Sequence, residues 1–273
     1  MCSAGLPSPP ASLRQVAASA RCIRMAVIWE REIDGSRLEV RSAGATRRLY
    51  RDGVMHTQFN PRTPLTGSVW DLLLLPAFLL PPGRPRRVLV LGVGGGAVIR
   101  QLLTYTAVET VVGVELDPMH LELGRRFFGL GDERIELHQA DALRWLRGYR
   151  GPRFDLIIDD VFGENDGEPV RAIECDRSWA RLLLRHLDRE GAITANFPSR
   201  DELLACAFND ADLATGFSAG FQFTGVAIDN AVGAWTRQPA TTRLLRARLG
   251  QQPALDPRKR SCRLRYRVRT LFA

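Results

Sequence analysis

The chain has 273 residues, 45% hydrophobic and 25% charged, enough for one sizeable α/β domain and a small accessory one. The net charge of +8 comes almost wholly from arginine, since Lys259 is the only lysine. Arginine is spread over the whole length and looks compositional, so nucleic acid is not an expected partner. The five cysteines, Cys2, Cys22, Cys175, Cys206 and Cys262, show no C-x-x-C spacing. That argues against a disulfide framework and a zinc site, and for a reducing, cytoplasmic compartment. The apolar run 70–80 is interrupted by Asp71 and Pro76 and is too short to span a bilayer, so no membrane partner is expected.

Residues 1–24 hold prolines, serines and alanines without periodicity and read as a disordered leader, or as sequence upstream of a start at Met25. From 25 to 82 a small β domain with a connecting helix is expected. Three short alternating runs, 26–32, 37–41 and 46–50, are punctuated by Asp34-Gly35, Gly44 and Asp52-Gly53, which are hairpin signals. Residues 67–80 read as a helix that leads into Pro81-Pro82-Gly83.

The region 83–250 reads as a Rossmann-like, doubly wound α/β sheet. Arg87 to Leu91 is a buried parallel strand, Gly92, Gly94, Gly95 and Gly96 follow at once, and Val98, Ile99, Leu102 and Leu103 recur at helical spacing. Glycines suit a turn that must be tight and must admit a ligand with no Cβ in the way. A second strand ends in Glu115, about twenty residues on, where a carboxylate can accept from both ribose hydroxyls.

A third strand, Ile135 to His138, runs into Asp141, and a fourth, Phe154 to Ile158, ends in Asp159 and Asp160. Carboxylates at the carboxyl ends of consecutive parallel strands face one crevice. Three of them suit the ribose, the amino group and the reacting centre of S-adenosylmethionine or a derivative, a ligand with a sulfonium and no pyrophosphate. Asp159, Asp160, Glu164, Asp166 and Glu168 crowd one short stretch of a basic chain, which favours a cationic acceptor such as an amine. Strand alternation does not choose between Asp159 and Asp160, because Leu156-Ile157-Ile158 is apolar throughout.

Further helices are expected around Leu182 to Leu187 and over 202–213, with strands at 192–197, 220–224 and 226–235. The last segment, 251–273, reads as a basic tail. Arg263, Arg265, Arg267 and Arg269 alternate with Leu264, Tyr266 and Val268, which puts the four arginines on one face if the segment is extended. Such a face is either a solvated edge or an anion-binding tail. His120, His138 and His186 lie within helices or strands and form no cluster in the sequence, so no metal site is expected.

From about Leu49 to Trp235 the chain resembles the spermidine synthase family of aminopropyltransferases, which share the class I methyltransferase fold. The resemblance rests on Asp52-Gly53-Val54-Met55, the run Val88 to Gly96, Val114-Glu115-Leu116-Asp117, Ala140-Asp141-Ala142 and Phe154 to Asp160. It implies that Glu115 holds the ribose, Asp141 the adenine, and that Asp160 is the catalytic base. It also implies decarboxylated S-adenosylmethionine or S-adenosylmethionine as group donor, a small amine acceptor, a place in polyamine biosynthesis, and homodimers formed through the amino-terminal β domain.

Four departures accompany these matches. Gly95 stands where polyamine-making members carry an aspartate, and His56 where a glutamine is expected; His56 by that place, and Asp159 by its place in the acidic stretch, are candidate substrate-lining residues. The Tyr-His-Glu stretch before the glycine strand has no counterpart, and Val161-Phe162-Gly163 replaces the Asp-Pro after the base. Aminopropyl transfer, methyl transfer and nucleoside binding without catalysis therefore stay open.

Overall fold

The computed structural model describes residues 25–165, 168–226 and 228–273. The expected leader, 1–24, and Asp166 of the acidic stretch lie outside them. Four strands open the chain: β1 (Ala26–Ile33), β2 (Ser36–Ala43), β3 (Thr46–Arg51) and β4 (Val54–Phe59), paired antiparallel in that order. Two of the turns fall where both central residues take positive φ, Asp34-Gly35 at 51° and 80° and Asp52-Gly53 at 49° and 85°. That is the twist a tight hairpin needs. The three expected runs leave out β4, because Val54 to Phe59 does not alternate cleanly between apolar and polar. The sheet lies on the main domain through Leu38, Val40 and Leu49, which share a buried cluster with Leu123 and Phe128.

The helix expected over 67–80 divides. α1 (Val69–Leu74) gives way to a 3-10 turn, Leu75–Leu79. Pro76 has no N–H and cannot continue the α-helical ladder. Asp71, which interrupts the apolar run, is buried and accepts from Thr66 N, Thr66 Oγ1, Gly67 N and Gln101 Nε2 at 2.7 to 2.8 Å.

The core then builds as β5 (Arg87–Leu91), α2 (Ala97–Tyr105), β6 (Thr110–Glu115), α3 (Pro118–Phe127), β7 (Ile135–Gln139), α4 (Ala142–Gly148) and β8 (Phe154–Asp159). A short hairpin follows, β9 (Phe162–Asn165) and β10 (Glu168–Arg171), where the sequence suggested only an acidic loop. After α5 (Arg177–His186) comes β11 (Leu187–Phe197), which begins earlier than its apolar run and shifts register between Leu187 and Ala192. The helix expected over 202–213 is three pieces: α6 (Arg200–Ala205), a 3-10 turn at Ala207–Asn209, and α7 (Ala211–Ala214). Cys206 and Asp210 between them are extended, with ψ of 147° and 139°. The chain closes with β12 (Ala219–Thr224), β13 (Ala231–Thr236), α8 (Thr242–Leu249) and β14 (Arg267–Phe272).

The large sheet has the order β14-β12-β13-β11-β8-β5-β6-β7. β11, β8, β5, β6 and β7 are parallel, and β13, β12 and β14 add antiparallel. Val88 and Val90 face a core shared with α1, α2 and α8, while Leu89 and Leu91 face one shared with α4 and α5. The sheet is therefore covered on both faces. From β5 the chain winds outward through β6 and β7, then returns to β8 on the other side of β5. That reversal opens a crevice at the carboxyl ends of β5 and β8, the place where open α/β sheets bind ligands. The segment 251–273 is no free tail: β14, near its end, pairs with β12 and forms the sheet edge.

Candidate active site

The floor of the crevice is the turn after β5. Gly92, Gly94 and Gly96 take φ of 79°, 51° and 75°, which other residues rarely adopt. A Cβ on Gly92 would stand 2.1 Å from the Asp160 carbonyl oxygen, so β5 and β8 approach there as closely as backbones can. Gly96 then caps α2. Gly95 has a different neighbour: a Cβ there would lie 2.0 Å from Thr57 Cγ2 and 2.7 Å from Thr57 Cβ. Strand β4 thus fills the space that an aspartate at this position would need.

Glu115, at the end of β6, is almost buried and already oriented. Its Oε2 accepts from Gly94 N at 2.7 Å and its Oε1 from Asp117 N at 3.0 Å. Burial alone would raise its pKa, yet His120 and those two N–H groups hold it below the ordinary value. The carboxylate stays ionised, and each oxygen keeps a lone pair for a further donor. The turn and this carboxylate fit a ribose-bearing ligand. Asp141 is exposed at the start of α4, where its Oδ1 accepts from Arg144 N at 2.8 Å and caps the helix.

The two aspartates after Ile158 have separate surroundings. Asp159 has no exposed surface; its Oδ2 accepts from Arg171 at 2.7 Å and from Trp179 Nε1 at 2.8 Å. It does not line open space as expected: it anchors the β9–β10 hairpin through an ion pair. Asp160 is partly exposed and accepts from Asn196 Nδ2 at 2.8 Å. Its pKa is raised to about 7, by burial first, with the Asp159 carboxylate adding to it against the bond from Asn196. Asn196 is itself aligned, since its Oδ1 accepts from Asn230 at 3.1 Å and its carbonyl from Arg171 at 2.5 Å.

His56 has company that the sequence did not suggest. Its ring centroid is 5.1 Å from that of His120, and His120 Nδ1 is 3.6 Å from Glu115 Oε1. His56 Nε2 and both ring nitrogens of His120 are buried without a hydrogen-bond partner. Burial, His120 and Arg51 push the His56 pKa down to about 4, against the pull of Glu115 and Asp117, so the ring is neutral. Among the described residues no group of three or more His, Cys, Asp or Glu could hold a metal ion. The side chains of Glu164 and Glu168, expected to add to an acidic pocket, lie outside what is described.

Several positioning residues escape a reading of the sequence. Buried Arg100 donates to the carbonyls of Gly95 at 2.5 Å, Phe128 at 2.7 Å and Gln58 at 3.0 Å, and so ties the glycine turn to α3 and β4. Nothing in the helical pattern of α2 marks it. Asn196, by contrast, sits near the carboxyl end of β11, and the rule that led to Asp160 could have found it.

Residues 71–197 match the spermine/spermidine synthase domain. The polyamine aminopropyltransferase 2 of Caldanaerobacter subterraneus subsp. tengcongensis is 37% identical over 115 residues, covering 41% of this chain and 38% of that protein. The spermine synthase of Saccharomyces cerevisiae is 34% identical over 120 residues, covering 40% of this chain and 39% of its own. These alignments span less than two fifths of either relative. Among solved structures, a probable spermidine synthase from Corynebacterium glutamicum shares the fold over 90% of this chain and 91% of its own, with a TM-score of 0.68 at 15% identity. The stretch that matches the spermine/spermidine synthase domain, residues 71–197, contains the glycine turn, Glu115, Asp141 and Asp160.

Proposed function

We propose that this chain is a transferase that moves an aminopropyl group from decarboxylated S-adenosylmethionine to a small amine, with Asp160 as the base. The observation that carries this reading is one crevice with two unlike carboxylates: Glu115 held ionised beside the glycine turn, and Asp160 raised to about 7 across from it. Glu115 would take the ribose hydroxyls and Asp141 the adenine amino group. The bound donor supplies an electrophilic carbon next to a sulfonium. Asp160 attracts an alkylammonium, accepts one proton from it and frees the lone pair that forms the new C–N bond as the C–S bond breaks. Freeing that lone pair at pH 7 costs about 4 to 5 kcal/mol for an amine of ordinary pKa, which a base placed at hydrogen-bonding distance offsets. Asn196 holds the carboxyl in place, and the Asp159–Arg171 pair holds the strand end.

A second reading, methyl transfer from S-adenosylmethionine, is favoured by Gly95, because Thr57 occupies the room where a side chain could select an aminopropyl ammonium. Incubation with putrescine and either donor separates the two. Methylthioadenosine released from the decarboxylated donor supports the first, and S-adenosylhomocysteine from the other supports the second. Neither product, with methylthioadenosine still bound, would reject both and leave a nucleoside-binding protein. We also propose a homodimer through the amino-terminal sheet, where Val27, Ile28, Val54 and Met55 are exposed on β1 and β4. Light scattering of the eluted protein at the mass of one chain would reject it.

A further inference from the structure

The alternating arginines near the end of the sequence have no part in the crevice. β14 is five strand positions from β5, on the order of 20 Å away. There the segment after α8 folds back and, with the last turn of α8 and β14, borders an open concavity of about 880 Å³. That volume lies in the range of small-molecule sites.

The lining has an unusual charge balance. Arg246, Arg258, Arg265 and Arg267 all line it, and Asp256 is its one carboxylate. That carboxylate is already engaged, because Arg258 donates to its two oxygens at 2.8 and 3.0 Å. Arg265 is steadied by donating Nη1 to the carbonyls of Cys262 and Leu264, both at 2.9 Å, which leaves its other nitrogens available. Among the described residues no hydrogen bond or ion pair engages the guanidinium of Arg246 or Arg267. Three positive charges in one concavity are left without a counter-charge. The apolar lining that a ligand could touch is Tyr266 and Val268, both partly exposed. The carbonyl end of α8 opposes an anion weakly, and the arginines outweigh it.

Several guanidinium forks around one concavity suit a group with several oxygens and about two negative charges, and the partly exposed Tyr266 and Val268 suit an apolar or aromatic body. We propose that this concavity binds a small organic phosphate, its anionic group on Arg246, Arg265 and Arg267 and its body against Tyr266 and Val268. The sheet edge is thus a second ligand site, independent of the nucleoside crevice.

The test is calorimetric titration of the full chain at low salt with 1-naphthyl phosphate, which has no adenine and so does not report on the crevice. The comparison is Arg246→Ala/Arg267→Ala, a pair of exposed positions whose loss leaves the core intact. Saturable binding is expected, weakening by about tenfold for each guanidinium removed and falling as salt rises. Glu115→Ala, in the crevice, should leave it unchanged. No binding at millimolar ligand, or equal affinity in the double variant, would overturn the site. A single-stranded oligonucleotide that bound far more tightly than the naphthyl ester would also overturn it, by making the face a nucleic-acid surface.

Discussion

At Asp160 burial and function pull against each other. A carboxyl raised to about 7 is half protonated at neutral pH, so turnover should climb as pH passes through about 7 and flatten above it. Asp160→Asn should cost about two to four orders of magnitude in turnover while leaving methylthioadenosine affinity nearly unchanged. The same group has a stability cost. Unfolded, it ionises near 3.8, so stability is lost as pH rises from there through about 7. Thermal melts at pH 8 should therefore show Asp160→Asn at least as stable as the parent; a lower melting temperature would refute the burial argument. His56 has the opposite sign. Its pKa of about 4 lies below the 6.5 of the unfolded chain, so stability is full above 6.5 and drains as pH falls toward 4. His56→Gln should lose less melting temperature than the parent between pH 7 and 5.

At the scale of elements, two arginines hold the strand ends in register. Asp159→Asn leaves Arg171 buried with no ionic partner, and breaking such a pair costs about 3 to 5 kcal/mol. The expected result is a lower melting temperature with turnover retained and the pH-rate profile moved to lower pH, because the Asp159 charge that helps to raise Asp160 is gone. Loss of turnover at unchanged stability would instead make Asp159 the base. Arg100→Leu strips donors from three carbonyls, each worth about 1 to 3 kcal/mol when left buried and unpaired. It should loosen the glycine turn and weaken nucleoside binding together, which a paired melt and titration would read. Gly92→Ala should be worse than Gly94→Ala for the fold, because its Cβ meets backbone at 2.1 Å whereas that of Gly94 meets the His56 carbonyl oxygen at 3.3 Å.

For the whole molecule, ligand binding should appear as stability. At about a hundred times its dissociation constant, a nucleoside that binds only the native state adds about 2.7 kcal/mol. Methylthioadenosine or S-adenosylmethionine should raise the melting temperature, and NAD should not. A screen in which NAD alone stabilised the protein would reassign the crevice to dinucleotides. No described helix is long and apolar enough to cross a membrane.

The parallel core was legible in the sequence because its signals are local. A continuous apolar run, glycines at the turn and an acid about twenty residues on need no tertiary knowledge, and Glu115, Asp141 and Asp160 stand at the strand ends those signals mark. Short-range chemistry also marked all three hairpin turns of the amino-terminal sheet, at Asp34-Gly35, Gly44 and Asp52-Gly53. What the tertiary structure alone decided were contacts between residues far apart in the chain. Thr57 against Gly95, His56 beside His120, Arg100 on three carbonyls and Arg171 on Asp159 join elements whose separation no periodicity encodes. Strand alternation was silent between Asp159 and Asp160, since both faces of β8 are buried; their neighbours Arg171 and Asn196 separate them. The arginine-rich end is the same case: its period of two shows a face, and only the fold of α8 toward β14 shows that two of its arginines, Arg265 and Arg267, border a concavity.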